Sequence, residues 1–197
     1  MFKTIGNFLF KYRSYTPLPF VALMLIFAEP TLPLMITGFV IAALGETIRL
    51  LSVSYAGSET RTTEAVGGSN LVTQGPYGIV RNPLYIGNIM IYTGIGIMSN
   101  ALFPYLQIAG LIFFTFQYYC IILNEEEYLA TAFKEKFKIY TETTGRFFPT
   151  FKKIPDSIKS NLPFDLNSGI LSEKRTLQAF IFLTAFIITK YILNIYF

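Results

Sequence analysis

Residues 84–123 read LYIGNIMIYTGIGIMSNALFPYLQIAGLIFFTFQYYCIIL. Two apolar runs, 84–98 and 102–123, are parted by the tight turn Ser99-Asn100. Runs of this length suit a hydrocarbon core about 30 Å thick. A chain inside lipid must satisfy its own backbone hydrogen bonds, so the runs are expected as two antiparallel helices.

Three more apolar runs flank this stretch. Residues 17–28 are short for a crossing, and the turn Glu29-Pro30-Thr31 joins them to 32–53 as a second hairpin. The last run covers 177–197. Composition agrees: charged residues are 14% of the chain, against roughly 25% in soluble domains. The expectation is an all-α integral membrane protein of about five transmembrane helices. Residues 1–15 add a short amphipathic helix at the membrane surface, with Phe2, Ile5, Leu9 and Tyr12 on one side and Lys3, Lys11 and Arg13 on the other. A cleavable signal peptide does not fit, because the first apolar run ends in Glu29-Pro30 and not in small residues.

Basic residues orient the bundle. With the N-terminus inside, fifteen of the sixteen Lys and Arg fall on the cytoplasmic side, and only Lys190 does not. Both outer turns are then short, and both long connections, 54–83 and 124–176, are cytoplasmic. Connections of that length are commonly functional, so the working residues are expected on the cytoplasmic face. Glu173 and Arg175, just before the last span, stand where they can reach inward or pair at the membrane boundary.

The chain has no His and a single Cys, Cys120. That removes the commonest general base and metal ligand, so no metal is expected. Charge is too dispersed for a nucleic-acid surface. Gly94-Ile95-Gly96 lies inside a span with no strand before it, so it reads as helix packing and not as a dinucleotide fingerprint.

Three clusters carry possible chemistry. In LVTQGPYGIVRNPLYIGN, residues 71–88, Gly75-Pro76 forces a turn and Pro83 holds Asn82 extended at the start of a helix. The positive end of that helix, with Arg81 beside it, suits a carboxylate or phosphate, of a ligand or of lipid. Glu125-Glu126-Glu127 crowd negative charge at the inner end of the next span, which calls for an offsetting cation or for water. The helix running on from there presents Leu129, Phe133, Phe137 and Tyr140 on one face, leaves the bilayer, and ends at Thr143-Thr144-Gly145. Arg146-Phe147-Phe148-Pro149 follow, as an interfacial anchor or a substrate contact through Arg146.

The block 71–88 resembles the cofactor motif of the isoprenylcysteine carboxyl methyltransferase and phospholipid methyltransferase families, LVTxGPYxxxRHPxYxG. The later Glu125-Glu126-x-x-Leu129, Phe133, Tyr140 and Arg146-Phe147-x-Pro149 are similar to the tail of those families. The resemblance implies S-adenosyl-L-methionine as cofactor, in a pocket on the cytoplasmic face that the loop 152–174 would cover. It implies Ser69, Asn70, Leu71, Val72, Tyr77, Arg81, Asn82, Pro83, Tyr85, Glu125 and Glu126 as the residues that hold it. It further implies methyl transfer to a lipid-like or prenylated small substrate, with carboxyl O-methylation of an isoprenylcysteine-like or isoprenoid acid favoured. Asn82 stands where the family has His, and the prenylcysteine enzymes carry an Arg where this chain has Ile121 and apolar neighbours.

The expected organisation is one membrane domain over 1–197: a surface helix and hairpin in 1–70, a cofactor-binding core in 71–149, and a lid loop with the last span in 150–197. Two alternatives stand beside methyl transfer. A membrane sterol-type reductase using a nicotinamide cofactor carries R-H-P-N-Y after G-W-W, where this chain has Leu84 and Gly75-Pro76-Tyr77. A non-catalytic scaffold of the same fold is the other.

Overall fold

The computed structural model describes residues 2–57 and 70–196. Proline and turn residues set the boundaries of its helices. Pro19 opens α2 (Leu18–Ile26), Pro33 opens α3 (Leu32–Ala56), and Pro83 is the first residue of α4 (Pro83–Ser99). In the first turn a proline loses no hydrogen bond and arrives with helical φ. A surface helix α1 (Phe2–Tyr12) precedes these; α5 (Tyr105–Thr143) and α6 (Leu166–Tyr196) follow. The described residues form no strand, only an isolated parallel bridge between Val80 and Gly145.

Among the described residues three helices, α3, α5 and α6, are long and apolar enough to cross a membrane. With 17 residues α4 spans about 26 Å, and the 9 residues of α2 span about 14 Å. The two expected outer turns do lie together. Glu29 N–H donates to the Ser99 carbonyl at 3.0 Å, and Asn100 Nδ2 donates to the Glu29 carbonyl at 2.9 Å. Asn100 itself ends α4 in the left-handed region, φ 52°.

Glycines bring α3 and α4 close. A Cβ on Gly94 would stand 2.6 Å from the backbone N of Ala42 and from the Gly38 carbonyl; one on Gly45 would stand 2.7 Å from the Gly87 carbonyl. This is the small-residue packing expected where lipid supplies no hydrophobic drive between helices, and it is the structural use of Gly94. Below it, Met24, Met35, Ala42, Ile91, Ile95 and Met98 form the core. Large apolar side chains such as Ile36, Phe39, Ile112, Phe116, Ile181 and Phe182 point outward, which suits contact with lipid.

One expectation about the long connections needs correction. The last helix begins at Leu166, so residues 166–174 are helical and the loop before it is correspondingly shorter. Asp165 caps it: Oδ1 accepts from Ser168 N–H at 3.0 Å and Oδ2 from Ser168 Oγ at 2.6 Å. These bonds hold the Asp165 carboxyl below its ordinary pKa. The helix leaving the fourth run is continuous with it as α5 but breaks direction at Lys134, φ 46°. Beyond the break, Phe137 and Tyr140 are buried with Ile158, and Leu71, Leu129 and Phe133 pack around them.

Candidate functional site

The turn Gly75–Gly78 is a single 3-10 turn, with Gly75 at φ 60° and pressed against the Tyr55 ring. Only glycine takes that conformation and that approach without strain. The chain then runs extended past Gly145–Thr150: Arg81 N–H donates to the Gly145 carbonyl, and Thr150 N–H to the Ile79 carbonyl, both at 2.8 Å. This short zipper lays one sequence block against the other.

Glu126 is the meeting point. Arg81 places Nε at 3.1 Å and Nη2 at 3.0 Å from Oε1. Arg146 places Nε at 3.0 Å and Nη2 at 2.5 Å from Oε2. The bond to Glu126 raises the Arg146 pKa above its ordinary value. Arg81 also donates through Nη1 to the carbonyls of Thr141 and Thr144, at the end of α5. A guanidinium there satisfies orphan carbonyls and opposes the negative helix end. Asn82 Nδ2 donates to the Arg146 carbonyl at 3.2 Å.

Glu125 faces another way. The Tyr85 hydroxyl donates to its Oε1 at 2.5 Å, and the Tyr85 ring stacks on Tyr118, 4.8 Å between centroids. Glu125 Oε2 takes no hydrogen bond among the described residues. Tyr140 donates its hydroxyl to the Tyr77 carbonyl at 2.7 Å. Burial above all, then Tyr140 and Glu125, pushes the Tyr77 phenol far above its ordinary pKa.

Asn70 and Leu71 line a cleft of about 370 Å³ with Phe133, Lys136 and the segment 157–162, a volume within the range of ligand pockets. Next to it Val72 is half-buried, and Thr73 ties the segment down. Its N–H donates to Ser160 Oγ at 3.0 Å, and its Oγ1 accepts from Ser160 N–H at 2.8 Å. Pro83 is buried at the head of α4. Ser69 lies outside the described residues.

So the structure gathers Arg81, Asn82, Glu126 and Arg146 into one cluster, pairs Tyr85 with Glu125 beside it, and sets Asn70 and Leu71 on the cleft. Sequence reasoning missed a second polar group within the helices, in which Arg49 meets Asn88, Glu173 and Glu46. Its signal was present: two charges one turn apart, Glu46 and Arg49, inside an apolar run. Glu173 reaches inward, and Arg49 is what it meets.

Membrane-length helices with an ionic cluster at the mouth of α4 define a helical membrane protein with a polar site at one end of its bundle. The chain belongs to the phospholipid methyltransferase family, whose model matches residues 33–136. That match contains Arg81, Asn82, Tyr85, Glu125 and Glu126. Among curated proteins, the chain is 38% identical over 81 residues to the cobalt-zinc-cadmium resistance protein CzcN of Cupriavidus metallidurans, covering 41% of this chain and 36% of that one. It is 35% identical over 81 residues to the nickel-cobalt-cadmium resistance protein NccN of Alcaligenes xylosoxydans xylosoxydans, covering 41% and 37%. The matched stretch thus spans little more than a third of each relative. No solved structure matches the chain significantly.

Proposed function

We propose that this chain is an S-adenosylmethionine-dependent methyltransferase acting on the head group of a lipid-like molecule, with its site on the cytoplasmic face. The observation that carries the reading is the double grip on Glu126. Arg81 from the first motif block and Arg146 from the last meet on one carboxylate, which supports reading the two blocks as one site.

The residues fit the cofactor. Glu125 keeps one oxygen without a partner among the described residues, and that oxygen suits the ammonium of a methionyl group. The first turn of α4 presents free N–H groups beside Asn82 and Pro83, which suit its carboxylate. The cleft beside Asn70, Leu71 and Phe133 offers a polar rim and an apolar wall for a nucleoside. When bound, the cofactor supplies a methyl group already activated on a sulfonium. The protein's part is binding, orientation and exclusion of water. Tyr85 orients Glu125; Arg81 and Arg146 hold Glu126 and so fix the end of α5; Asn82 positions Arg146 through its carbonyl. Asn82 donates and accepts hydrogen bonds but carries no proton, so its role is positional.

Calorimetric titration in detergent tests this reading. S-adenosylhomocysteine binds and NADPH does not; binding of NADPH alone would favour the reductase, and binding of neither would favour the scaffold.

A further inference from the structure

The segment after Gly145 turns back along the bundle. Arg146 is held by Glu126, and its guanidinium lies 5.8 Å from the centroid of the Tyr119 ring. The Phe147 ring stacks on Tyr119, 6.5 Å between centroids, and packs against the buried cluster of Phe114, Tyr118, Ile121 and Ile122. Tyr119 lies four residues before Leu123, the end of its apolar run, which is about 6 Å along the helix axis. The chain thus returns to a level where the outer side of α5, with Phe116 exposed, faces lipid.

Beyond Phe147 two rings have no protein to cover them. Phe148 is 84% exposed and Phe151 86%, the two most exposed large apolar side chains among the described residues. The backbone does not let them fold away. Thr150, between them, donates its N–H to the Ile79 carbonyl at 2.8 Å, and Gly145 N–H donates to Thr150 Oγ1 at 3.0 Å. Pro149 restricts the turn further. Rings held outward at a fixed place mark a surface that something covers. Lys152 and Lys153 follow directly and are exposed, and no acidic residue lies between Gly145 and Pro155. Apolar rings at the depth of the head groups, flanked by cations alone, match an anionic lipid surface in both charge and position.

We propose that Phe148 and Phe151 insert at the head-group boundary of the leaflet beside α5, and that Lys152 and Lys153 bind the phosphates of anionic lipids there. The turn 146–153 is then a binding site for anionic lipid, separate from the Glu126 cluster and independent of the reaction the chain catalyses.

The chain has no Trp, so Phe148→Trp and Phe151→Trp each add a single fluorophore at an exposed position. The full chain is placed in phosphatidylcholine vesicles that carry, at equal mole fraction, either brominated phosphatidylglycerol or brominated phosphatidylcholine. Both indoles emit blue-shifted light and are quenched by either lipid, the phosphatidylglycerol quenching at least ~3-fold more strongly. Lys152→Gln with Lys153→Gln, in the same background, removes that preference and keeps the quenching. Phe182→Trp, on the exposed side of α6, is quenched by both lipids alike and shows that the chain is inserted. Indoles that emit as in water and escape both lipids overturn the proposal. So does equal quenching by the two lipids, or a preference that survives loss of both lysines. An indole shielded from aqueous acrylamide yet unquenched by lipid overturns it as well, and makes a second copy of this chain the cover.

Discussion

Arg81, just before α4, holds Oε1 of Glu126, forty-five positions later in α5, with two nitrogens at 3.0 and 3.1 Å. Arg146 holds the other oxygen. The end of α5, the start of α4 and the segment after Gly145 are therefore fixed by one carboxylate.

Glu126→Ala leaves two guanidinium groups without their shared partner. Removing one side of a largely buried ion pair costs about 3–5 kcal/mol. A fall of that order in unfolding free energy in detergent is expected, with Glu126→Gln falling less because the amide oxygen still accepts from one Arg.

The α3–α4 contact makes a contrasting pair of glycine substitutions. Gly94→Ala drives a Cβ against backbone atoms of Ala42 and Gly38 at 2.6 Å, and overpacking of that kind costs about 1–3 kcal/mol. Gly110→Ala meets the Phe20 ring at 3.6 Å and the Phe114 ring at 3.9 Å, both ordinary contacts, and gains roughly 0.5–1 kcal/mol of helix propensity. Thermal midpoints of the two variants should move in opposite directions.

The start of α6 should loosen in acid. The folded pKa of Asp165 is depressed by its bonds to Ser168. The stabilisation is therefore present above the unfolded aspartate value of about 3.9 and is lost as pH falls through the lower folded value. Amide exchange at residues 166–169 should accelerate in that window, and Asp165→Ala should show fast exchange at every pH.

Much of this arrangement was legible because its signals are local. Gly75-Pro76, Pro83 and the adjacent glutamates mark a turn, a helix start and a helix end wherever they occur, and they led to the residues that meet at Glu126. What was missed depends on distance or on mixed character. Glu173, Lys174 and Arg175 made the first turns of α6 look like a loop, and the Asp165–Ser168 cap went unread. The Arg49–Glu173 pair joins positions 124 apart, which no local pattern announces. The break at Lys134 has no Pro or Gly near it, and the structure gives no physical cause for it.

Tyr85→Phe keeps the ring on Tyr118 but removes the donor that orients Glu125. Hydrogen bonds to charged groups contribute about 1.5–3 kcal/mol, so S-adenosylhomocysteine affinity should drop by roughly tenfold or more, with helical content preserved by circular dichroism.

The most direct test is calorimetric titration of S-adenosylhomocysteine into the wild-type protein and into Glu125→Ala, side by side in one detergent. The account predicts saturable binding to the first and at least ~10-fold weaker binding to the second. Equal affinity for both, or heat from neither, would contradict it.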